Sequence, residues 1–472
     1  MTFSRTTAPS TTSAPFPDQL DIAIIGAGAA GIAAVRRLAA TGLSIGVIEA
    51  RDRVGGRAHT LDHRLVAHRQ GSVEVGLDMG CGWLHSADEN ELAAIGHQAG
   101  FSIDETPPPW RGSAFNLGLT PTEQADFGQA FDAFESRIAR AASAGDDHPA
   151  SDQFAAPDDP DSRWNPRMDA ISGALNGAKF AEVSTLDYDA YRDTGVNWRV
   201  REGYGRLIST LAQGLPVFLD CAVRRIDRSG PRLRIETTRG NVDCRAVILT
   251  VPTRLIGHET IRIDPPVPTL IEAALGIPLG LASKLHMTVE RPEDFPADSQ
   301  LWGRTDTAQT GGYHLRPFGR PMIEAYFGGD LAWGLEGEGE AAFFDFAVAE
   351  LSNLLGSSFR RRLSPVATSM WGAEEWSRGA YSHCLPGHGG DRAVLKQPIE
   401  NRIFIAGEAT AEAFYGTAHG AWMEGERAAI EALMALGIDP RKTGGYEEFS
   451  SSDVLGPEPR IRERRSSGWS NL

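Results

Sequence analysis

The chain has few cysteines, and their spacing does not suggest a disulfide framework. Only four occur among 472 residues, and no two of them form a C-x-x-C pair: Cys81, Cys221, Cys244 and Cys384. Small secreted domains that depend on disulfides carry denser, paired cysteines. The sequence therefore predicts free thiols and a reducing, cytoplasmic location, and we predict no metal site.

Long apolar runs and positive charge are also scarce. No segment reaches the roughly 20 apolar residues of a membrane-spanning helix, and the first twenty residues lack the apolar core of a secretion signal. Lys and Arg total 46 against 62 Asp and Glu, a net charge of −16. This balance disfavours nucleic acid or an anionic membrane as the main partner and mildly favours cationic small molecules, although an acidic surface also simply promotes solubility.

The composition that remains is that of a large globular protein. Hydrophobic residues make up 41% and charged residues 23% of the chain, which is typical of folded rather than disordered proteins. The length exceeds that of one ordinary core, so we expect two domains. Residues 1–19 and the polar tail 441–472 are predicted to be disordered.

Near the start of the chain, a strand, a glycine-rich turn, a helix and a second strand follow one another. In order, they are the apolar run 22–25, the turn GAGAAG at 26–31, the helical pattern 32–40 and the apolar run 43–48. An acidic residue, Glu49, ends the second strand. This order is that of the dinucleotide-binding βαβ unit.

Each conspicuous residue of the unit has a physical role in binding a dinucleotide. Gly26 makes the tight turn, Gly28 lets the backbone approach a pyrophosphate, and Gly31 lets the helix pack closely on the strand. The helix N-terminus presents free N–H groups and a positive dipole end to the phosphates. Glu49 can accept hydrogen bonds from a ribose diol.

A second glycine pair with arginines, ARDRVGGR at 50–57, suits a flavin dinucleotide, because Arg57 can neutralise phosphate or fix the loop. From this point the chain resembles the flavin amine oxidases, the family of polyamine oxidases, monoamine oxidases, L-amino-acid oxidases and lysine-specific histone demethylases. Its motifs are closest to the polyamine oxidase-like members. The matching segments are 24–31, 49–57, 78–85, 247–252 and 402–425.

The resemblance implies an α/β fold in which a Rossmann-like FAD-binding domain is interleaved with an α+β substrate-binding domain. The expected FAD-binding parts are residues 20–88, 200–262 and 371–440, and the expected substrate-domain parts are residues 89–199, mainly helical, and 263–370. The residues that the resemblance assigns to FAD are Gly26, Gly28, Ala30, Gly31, Glu49, Ala50, Arg51, Gly56, Arg57, Gly80, Gly82, Trp83, Val223, Trp371, Trp376, Gly407, Glu408, Thr417 and Ala418.

Four residues are implied to act on the substrate side. The family places a lysine, here Lys284, so that water bridges it to flavin N5, and burial is expected to lower its pKa. Tyr381 is implied to be one aromatic wall and His85 to line the substrate tunnel. Thr417 stands where monoamine oxidases have the opposite tyrosine. Their flavin-bearing cysteine is replaced by Ala380, which implies noncovalent FAD.

Glu324 lies in an apolar strand pattern, at residues 322–327. A carboxylate there either faces solvent or anchors a cationic substrate tail. We expect it to face solvent.

The implied chemistry is hydride transfer from the α-carbon of an amine to flavin N5. The imine is then hydrolysed to an aldehyde, and O2 reoxidises the flavin to give H2O2. The implied partners are thus a small amine, such as a polyamine, and O2.

Several alternatives stay open at this point. An L-amino-acid oxidase would need an arginine clamp that residues 81–86 do not contain, and a histone demethylase would need a long helical insertion that is not evident. A flavin-dependent desaturase would share the βαβ unit without requiring Lys284 or Tyr381. A flavin-binding interaction protein without activity is the non-enzymatic alternative.

Overall fold

The computed structural model describes residues 15–67, 71–111 and 119–442. Residues 1–14 and 443–472, where most of the predicted terminal disorder falls, lie outside these ranges. The strands are β1 (Gln19–Ile25), β2 (Ile45–Ile48), β3 (Thr60–Ala67), β4 (Gly71–Asp78), β5 (Ile103–Asp104), β6 (Arg199–Val200), β7 (Val217–Phe218), β8 (Val223–Asp227), β9 (Leu233–Thr237), β10 (Gly240–Leu249), β11 (Arg262–Asp264), β12 (Ala282–Val289), β13 (Ser299–Trp302), β14 (Gly312–Leu315), β15 (Met322–Gly328), β16 (Leu363–Thr368) and β17 (Ile403–Ile405).

The helices of the described residues are separated by loops and short 3₁₀ turns. They are α1 (Ala29–Leu38), α2 (Glu91–Gln98), α3 (Pro121–Ala144), α4 (Asn165–Asn176), α5 (Thr185–Ala190), α6 (Tyr204–Thr210), α7 (Thr253–Gly257), α8 (Pro268–Gly276), α9 (Gly329–Glu338), α10 (Glu340–Leu355), α11 (Asp391–Leu395) and α12 (Ala418–Ala435). None of them is long and apolar enough to cross a membrane.

The larger sheet has eight strands in the order β11-β8-β9-β10-β1-β2-β7, with β17 paired to β10. Strand β1 runs parallel to β2 and β10, and β17 runs parallel to β10. Helices cover its parallel core, so the apolar run 22–25 is fully buried. The expected α/β class with a Rossmann-like βαβ unit is confirmed.

The carboxyl ends of these parallel strands meet at one edge of the sheet, which is where open α/β sheets bind ligands. Gly26 follows β1, Glu49 follows β2, and Thr250 follows β10. Gly407 comes two residues after β17. The strand order therefore gathers segments that are hundreds of residues apart in sequence.

The smaller sheet has five antiparallel strands in the order β13-β14-β15-β12-β16. One face carries apolar side chains such as Leu285, Leu301, Tyr313 and Ala325, which are completely buried in a core with helices α9 and α10. The opposite face carries polar and aromatic residues. Because side chains alternate along each strand, the strands separate an apolar core face from a polar face.

A helical layer lies beside this sheet, as predicted for residues 89–199. Helix α3 begins with a capping box in which the Thr120 hydroxyl accepts from the Glu123 N–H and the Glu123 carboxylate accepts from the Thr120 N–H. Helices α3 and α4 pack through a buried aromatic cluster that includes Phe131, Phe134 and Phe180. The domain boundaries given by sequence stay predictions.

Candidate active site

A cavity of about 1440 Å³ is lined by residues from both sheets and from helices α3 and α4. Every residue predicted to bind FAD or substrate lines it, except Gly31. The structure thus brings His85, Lys284, Tyr381 and Thr417 to the same cavity as the glycine-rich turn. Among the described residues, no group of three or more His, Cys, Asp or Glu is arranged to hold a metal ion.

Gly28 and Gly31 of the first turn differ in whether a side chain would fit at their positions. A Cβ on Gly31 would lie 1.9 Å from the Gly26 carbonyl oxygen, so Gly31 is required for packing of α1 on the turn and does not face the cavity. A Cβ on Gly28 would meet no protein atom within 4 Å, and its φ of −77° suits any residue. The space beside Gly28 is therefore open cavity next to a helix N-terminus without a side-chain cap, which fits a pyrophosphate.

Glu49 is held firmly at the end of β2. Its carboxylate oxygens accept hydrogen bonds from the Ala27 N–H at 2.7 Å and the Arg51 N–H at 2.9 Å. The Arg51 guanidinium in turn pairs with Glu374 at 2.6 Å. These bonds fix a buried acid at the cavity wall, where a ribose diol of FAD would be received.

The last third of the chain supplies a second buried acid, Glu408. Its carboxylate pairs with Arg57 at 2.9 Å and accepts from the Ser382 hydroxyl at 2.6 Å and the Gly416 N–H at 2.9 Å. Arg57 also donates to the Ala380 carbonyl at 2.6 Å. Arg57 therefore links two distant segments of the chain, and its part in FAD binding stays a prediction.

Behind Glu408 lies an ion pair that sequence analysis did not find. Arg392 and Asp187 are each 2% exposed and meet at 2.6 Å. Arg392 also donates to the Ser382 hydroxyl at 2.9 Å, and its guanidinium lies 3.9 Å from the centre of the Tyr415 ring. A continuous hydrogen-bonded chain thus runs from helix α5 to Glu408.

Helix α12 points its N-terminus at the cavity. Thr417 caps the helix, because its hydroxyl accepts from the Gly420 N–H at 3.0 Å and donates to the Phe414 carbonyl at 2.6 Å. Thr417 lines the cavity without completing an aromatic cage. The helix dipole there favours developing negative charge on a bound ring.

Lys284 is buried in strand β12 and paired, which corrects two predictions. Its ammonium lies 3.0 Å from the Glu324 carboxylate, so Glu324 lines the cavity instead of facing solvent. Burial lowers the pKa of Lys284, but Glu324 and Asp78 raise it, and the pKa ends above the ordinary 10.5. The expected fall in the pKa of Lys284 does not occur, because strand pairing places Glu324 opposite His286, two residues along β12 from Lys284. From there the Glu324 carboxylate contacts the ammonium.

The pKa of Glu324 is shifted in the opposite direction. Burial raises its pKa, but the charges of Lys284 and His286 lower it to about 2. Asp78 also contributes to the field at Lys284 and is anchored by the Thr60 hydroxyl and the Tyr204 N–H. Lys284 and Glu324 therefore both remain ionised over the ordinary pH range.

Tyr381 is a cavity wall held by two hydrogen bonds. Its hydroxyl donates to the Ala174 carbonyl and lies 3.0 Å from the Tyr326 hydroxyl. Tyr326, which sequence analysis did not single out, stands opposite Lys284 on the neighbouring strand. The two rings form an aromatic wall next to the Lys284–Glu324 pair.

Two further aromatic or imidazole groups line the cavity. His85 bonds Asn197 at 2.7 Å between Nδ1 and Oδ1, so the structure fixes its ring. Trp83 packs edge-on against Trp110 at 4.5 Å and lies parallel to His314 at 6.2 Å. His85 lies at the cavity surface as predicted, whereas its part in substrate binding stays a prediction.

The remaining residues assigned to FAD are also at the cavity surface. Trp371 donates its indole N–H to the Met79 carbonyl at 2.8 Å, and Trp376 lies under the Arg224 guanidinium. Ala380 offers only a methyl group, so no thioether can form at this position. These residues together fit FAD held by noncovalent contacts.

Sequence reasoning missed Glu324 as a cavity residue, together with Tyr326 and the Arg392–Asp187 pair. The residue pattern did hold one signal, because a carboxylate inside an apolar strand is costly unless it is paired. No comparable signal linked Arg392 to Asp187, which are 205 residues apart.

Comparison with known proteins agrees with the geometry. A profile of the family described as flavin containing amine oxidoreductase matches residues 29–433. Polyamine oxidase 4 of Oryza sativa subsp. japonica is 27% identical over 92% of this chain and 94% of its own length. Polyamine oxidase 2 of Arabidopsis thaliana is 27% identical over 88% of each chain.

Other relatives match with different coverage. The lysine-specific histone demethylase 1 homolog 1 of Oryza sativa subsp. japonica is 27% identical over 93% of this chain, which spans only 55% of that protein. The structure of wild-type putrescine oxidase bound to putrescine has a TM-score of 0.71 at 23% identity, over 88% of this chain and 99% of the other. This likeness shows the shared fold.

Substitution of Gly28 separates cofactor binding from folding. We expect Gly28→Val to fold, because a Cβ at this position meets no protein atom within 4 Å, but to lose FAD, because the side chain would fill the space of the pyrophosphate. Gly31→Val is the matched comparison and should fail to fold, since its Cβ would overlap the Gly26 carbonyl. Circular dichroism, melting temperature and flavin content report the difference. A yellow Gly28→Val protein would contradict the assignment.

Glu324→Gln tests the Lys284 pair through the pH dependence of stability. A carboxyl with a lowered pKa stabilises the fold above its unfolded value of 4.5 and loses this effect as the pH falls toward about 2. A lysine with a raised pKa stabilises the fold until the pH rises past about 10.5. The melting temperature of Glu324→Gln should therefore lie furthest below that of the parent between about pH 5 and about pH 10. The difference between the two melting temperatures should become smaller at lower and at higher pH.

The control for this measurement is Glu338→Gln, which removes an exposed carboxylate from helix α9. It should follow the parent at every pH. A gap that stays constant from acid to alkaline pH would show that Glu324 stabilises the fold by packing and not by its charge.

Proposed function

Because the chain belongs to the flavin-containing amine oxidoreductase family and is thus a FAD-dependent oxidoreductase, we propose that it is an amine oxidase for a polyamine or another small amine. The amine is oxidised at the carbon next to nitrogen, the imine is hydrolysed to an aldehyde, and O2 is the final acceptor, yielding H2O2. The observation that carries this proposal is the cavity itself, which joins the glycine-rich turn to the buried Lys284 and the aromatic walls of Tyr326 and Tyr381.

FAD supplies the redox chemistry by accepting a hydride, and the residues of this chain hold and surround it. The turn at Gly28 and the N-terminus of α1 would receive the pyrophosphate, and Glu49 the ribose. Glu408 and the N-terminus of α12 would hold the ribitol and flavin end. The order of these groups along the cavity wall supports one extended dinucleotide.

The cavity suits a cationic substrate. Its lining includes the carboxylates of Asp132 and Glu135 in addition to the Glu324 carboxylate that pairs with Lys284, and the whole chain carries a net charge of −16. Carboxylates beside apolar and aromatic walls bind an ammonium through charge-assisted hydrogen bonds while methylene groups pack on the rings. A molecule with amino groups spaced by methylenes matches both features.

The aromatic walls of the cavity also favour the neutral form of the reacting amine. An amine must be neutral to release a hydride from its α-carbon, and an apolar, water-poor setting disfavours the charged ammonium. The Tyr381 and Tyr326 rings, whose hydroxyls lie 3.0 Å apart, would exclude water on this side of the cavity. Lys284, kept cationic by Glu324, adds a positive charge that further lowers the pKa of a neighbouring ammonium.

A peroxide-coupled screen tests the proposed function. The holoenzyme is assayed with polyamines, diamines, aromatic monoamines, N-methyl amines and L-amino acids, and aldehyde release is measured in parallel. We expect the highest kcat/KM with a di- or polyamine. A clear preference for an amino acid or an aromatic monoamine, or no turnover with any amine, would overturn the proposal.

The pH dependence of flavin reduction tests the aromatic wall. In anaerobic stopped-flow measurements, the reduction rate should rise with pH as the bound amine loses its proton. The pKa of the bound amine should lie below that of a free alkyl amine, which is about 10. Tyr381→Ala admits water, so the apparent pKa should move up and the rate should fall. Tyr381→Phe keeps the ring and is expected to stay near the parent. A Tyr381→Ala variant with an unshifted profile would contradict the desolvating role.

A further inference from the structure

A second, small cavity lies on the polar face of the smaller sheet, next to the part of that face that forms the floor of the large cavity. Its volume is about 30 Å³, and it shares Lys284, Glu324 and His314 with the large cavity. Its other walls include the end of strand β4 and the side chains of His286, Arg199, Phe318 and Arg320. A cavity of this size can hold a water molecule, provided that at least two polar atoms face it.

His286 is a buried polar side chain that lines this small cavity, and it is 3% exposed. Its Nε2 lies 3.2 Å from the backbone carbonyl oxygen of Asp78. Because a carbonyl oxygen can only accept a hydrogen bond, Nε2 carries the proton. Burial lowers the pKa of His286 below its ordinary 6.5; the charges of Lys284 and Arg320 act in the same direction and that of Glu324 acts against it. The ring is therefore neutral at neutral pH, and its Nδ1 is a hydrogen-bond acceptor.

The Nδ1 atom of His286 faces a second acceptor. Strand pairing places Glu324 opposite His286, and the Glu324 Oε2 atom lies 3.8 Å from Nδ1. The other carboxylate oxygen, Oε1, lies 3.0 Å from the Lys284 ammonium. Two acceptors at this separation do not bond each other, but one water molecule can donate a hydrogen bond to each of them.

The charged side chains around this small cavity already have protein partners. Arg199 donates to the Asp298 carboxylate at 2.8 Å. Arg320 donates to the backbone carbonyls of Gly76 and Arg201 at 3.1 and 2.8 Å. The neighbouring lysine–glutamate pair carries no net charge. An ion in this cavity would lack a counter-charge, whereas a neutral water molecule does not need one.

We propose that the small cavity is a binding site for a water molecule that donates one hydrogen bond to His286 Nδ1 and one to Glu324 Oε2, and that His286 is thereby a positioning residue for Glu324. The water fixes the plane of the carboxylate, so that Oε1 stays directed at the Lys284 ammonium. His286 thus acts on the floor of the large cavity through Glu324. This inference goes beyond the proposed function, because it holds whichever substrate is oxidised.

High-resolution crystal structures of the holoenzyme and of two variants test the site. In the parent we expect a water oxygen about 2.8 Å from both His286 Nδ1 and Glu324 Oε2. His286→Asn places an acceptor oxygen where Nδ1 stands and should keep both the water and the contact between Glu324 and Lys284. His286→Gln keeps an amide near the position of Nε2 but has no acceptor at that of Nδ1, so the water should be lost and the Glu324 carboxylate should turn away from Lys284. No water in the parent, or a water that stays on Glu324 in His286→Gln, would overturn the inference.

The tautomer of His286 gives a second readout, in solution. Nitrogen NMR of the holoenzyme with isotope-labelled histidine should show the His286 ring protonated at Nε2 at neutral pH, and the signal is assigned by its loss in His286→Gln. Protonation at Nδ1 would indicate a direct hydrogen bond to Glu324 and would rule out the bridging water.

Stability measures what the water contributes. In denaturant titrations at neutral pH, the folded-to-unfolded ratio of His286→Gln should fall about fivefold or more, because the buried carboxylate loses a hydrogen bond. The control is His258→Gln, an exposed histidine that follows helix α7, which should match the parent. A His286→Gln protein as stable as the parent would contradict the proposal. None of these measurements uses turnover, so an absence of amine oxidation would remove the proposed function and leave the water site standing.

Discussion

The contact between helices α1 and α12 is the constraint on which the cavity depends. Gly425 of α12 lies so close to α1 that a Cβ there would be 2.1 Å from the Ala30 carbonyl oxygen. This close packing joins the first and last parts of the chain and aims both helix N-termini at the same cavity. Gly31 likewise allows close packing, here of α1 on the carbonyl of Gly26 in the first turn. Without these two glycines the helices would stand further apart, and the groups expected to hold opposite ends of FAD would separate.

Two buried ion pairs are the second constraint. Lys284 is matched by Glu324, and Arg392 by Asp187. Removing one partner of such a pair typically costs about 3–5 kcal/mol, because the other charge stays buried without compensation. The pairs therefore hold their loops and strands in fixed positions. The Arg392–Asp187 pair connects helix α5, through the Ser382 hydroxyl, to the acid Glu408 that lines the cavity.

Local sequence was sufficient for the parts of the site that lie on one element. The βαβ unit and Glu49 were predicted from short patterns, because turn glycines and apolar runs act within a few residues. The α/β class followed from the same patterns and is confirmed. The exposure of Glu324 and the pKa of Lys284 were predicted wrongly, because both depend on the residue that stands opposite on a neighbouring strand.

The sequence by itself determined the fold class, the glycine-rich cradle and the absence of a cysteine at Ala380. Only the tertiary structure decided which side chains share the floor of the cavity. Strand pairing set Glu324 beside His286 and Gln300 beside His314, and it did so through backbone hydrogen bonds that carry no side-chain signature. The partners of a buried charge are chosen by register between strands, and register is a property of the assembled sheet and not of any one segment.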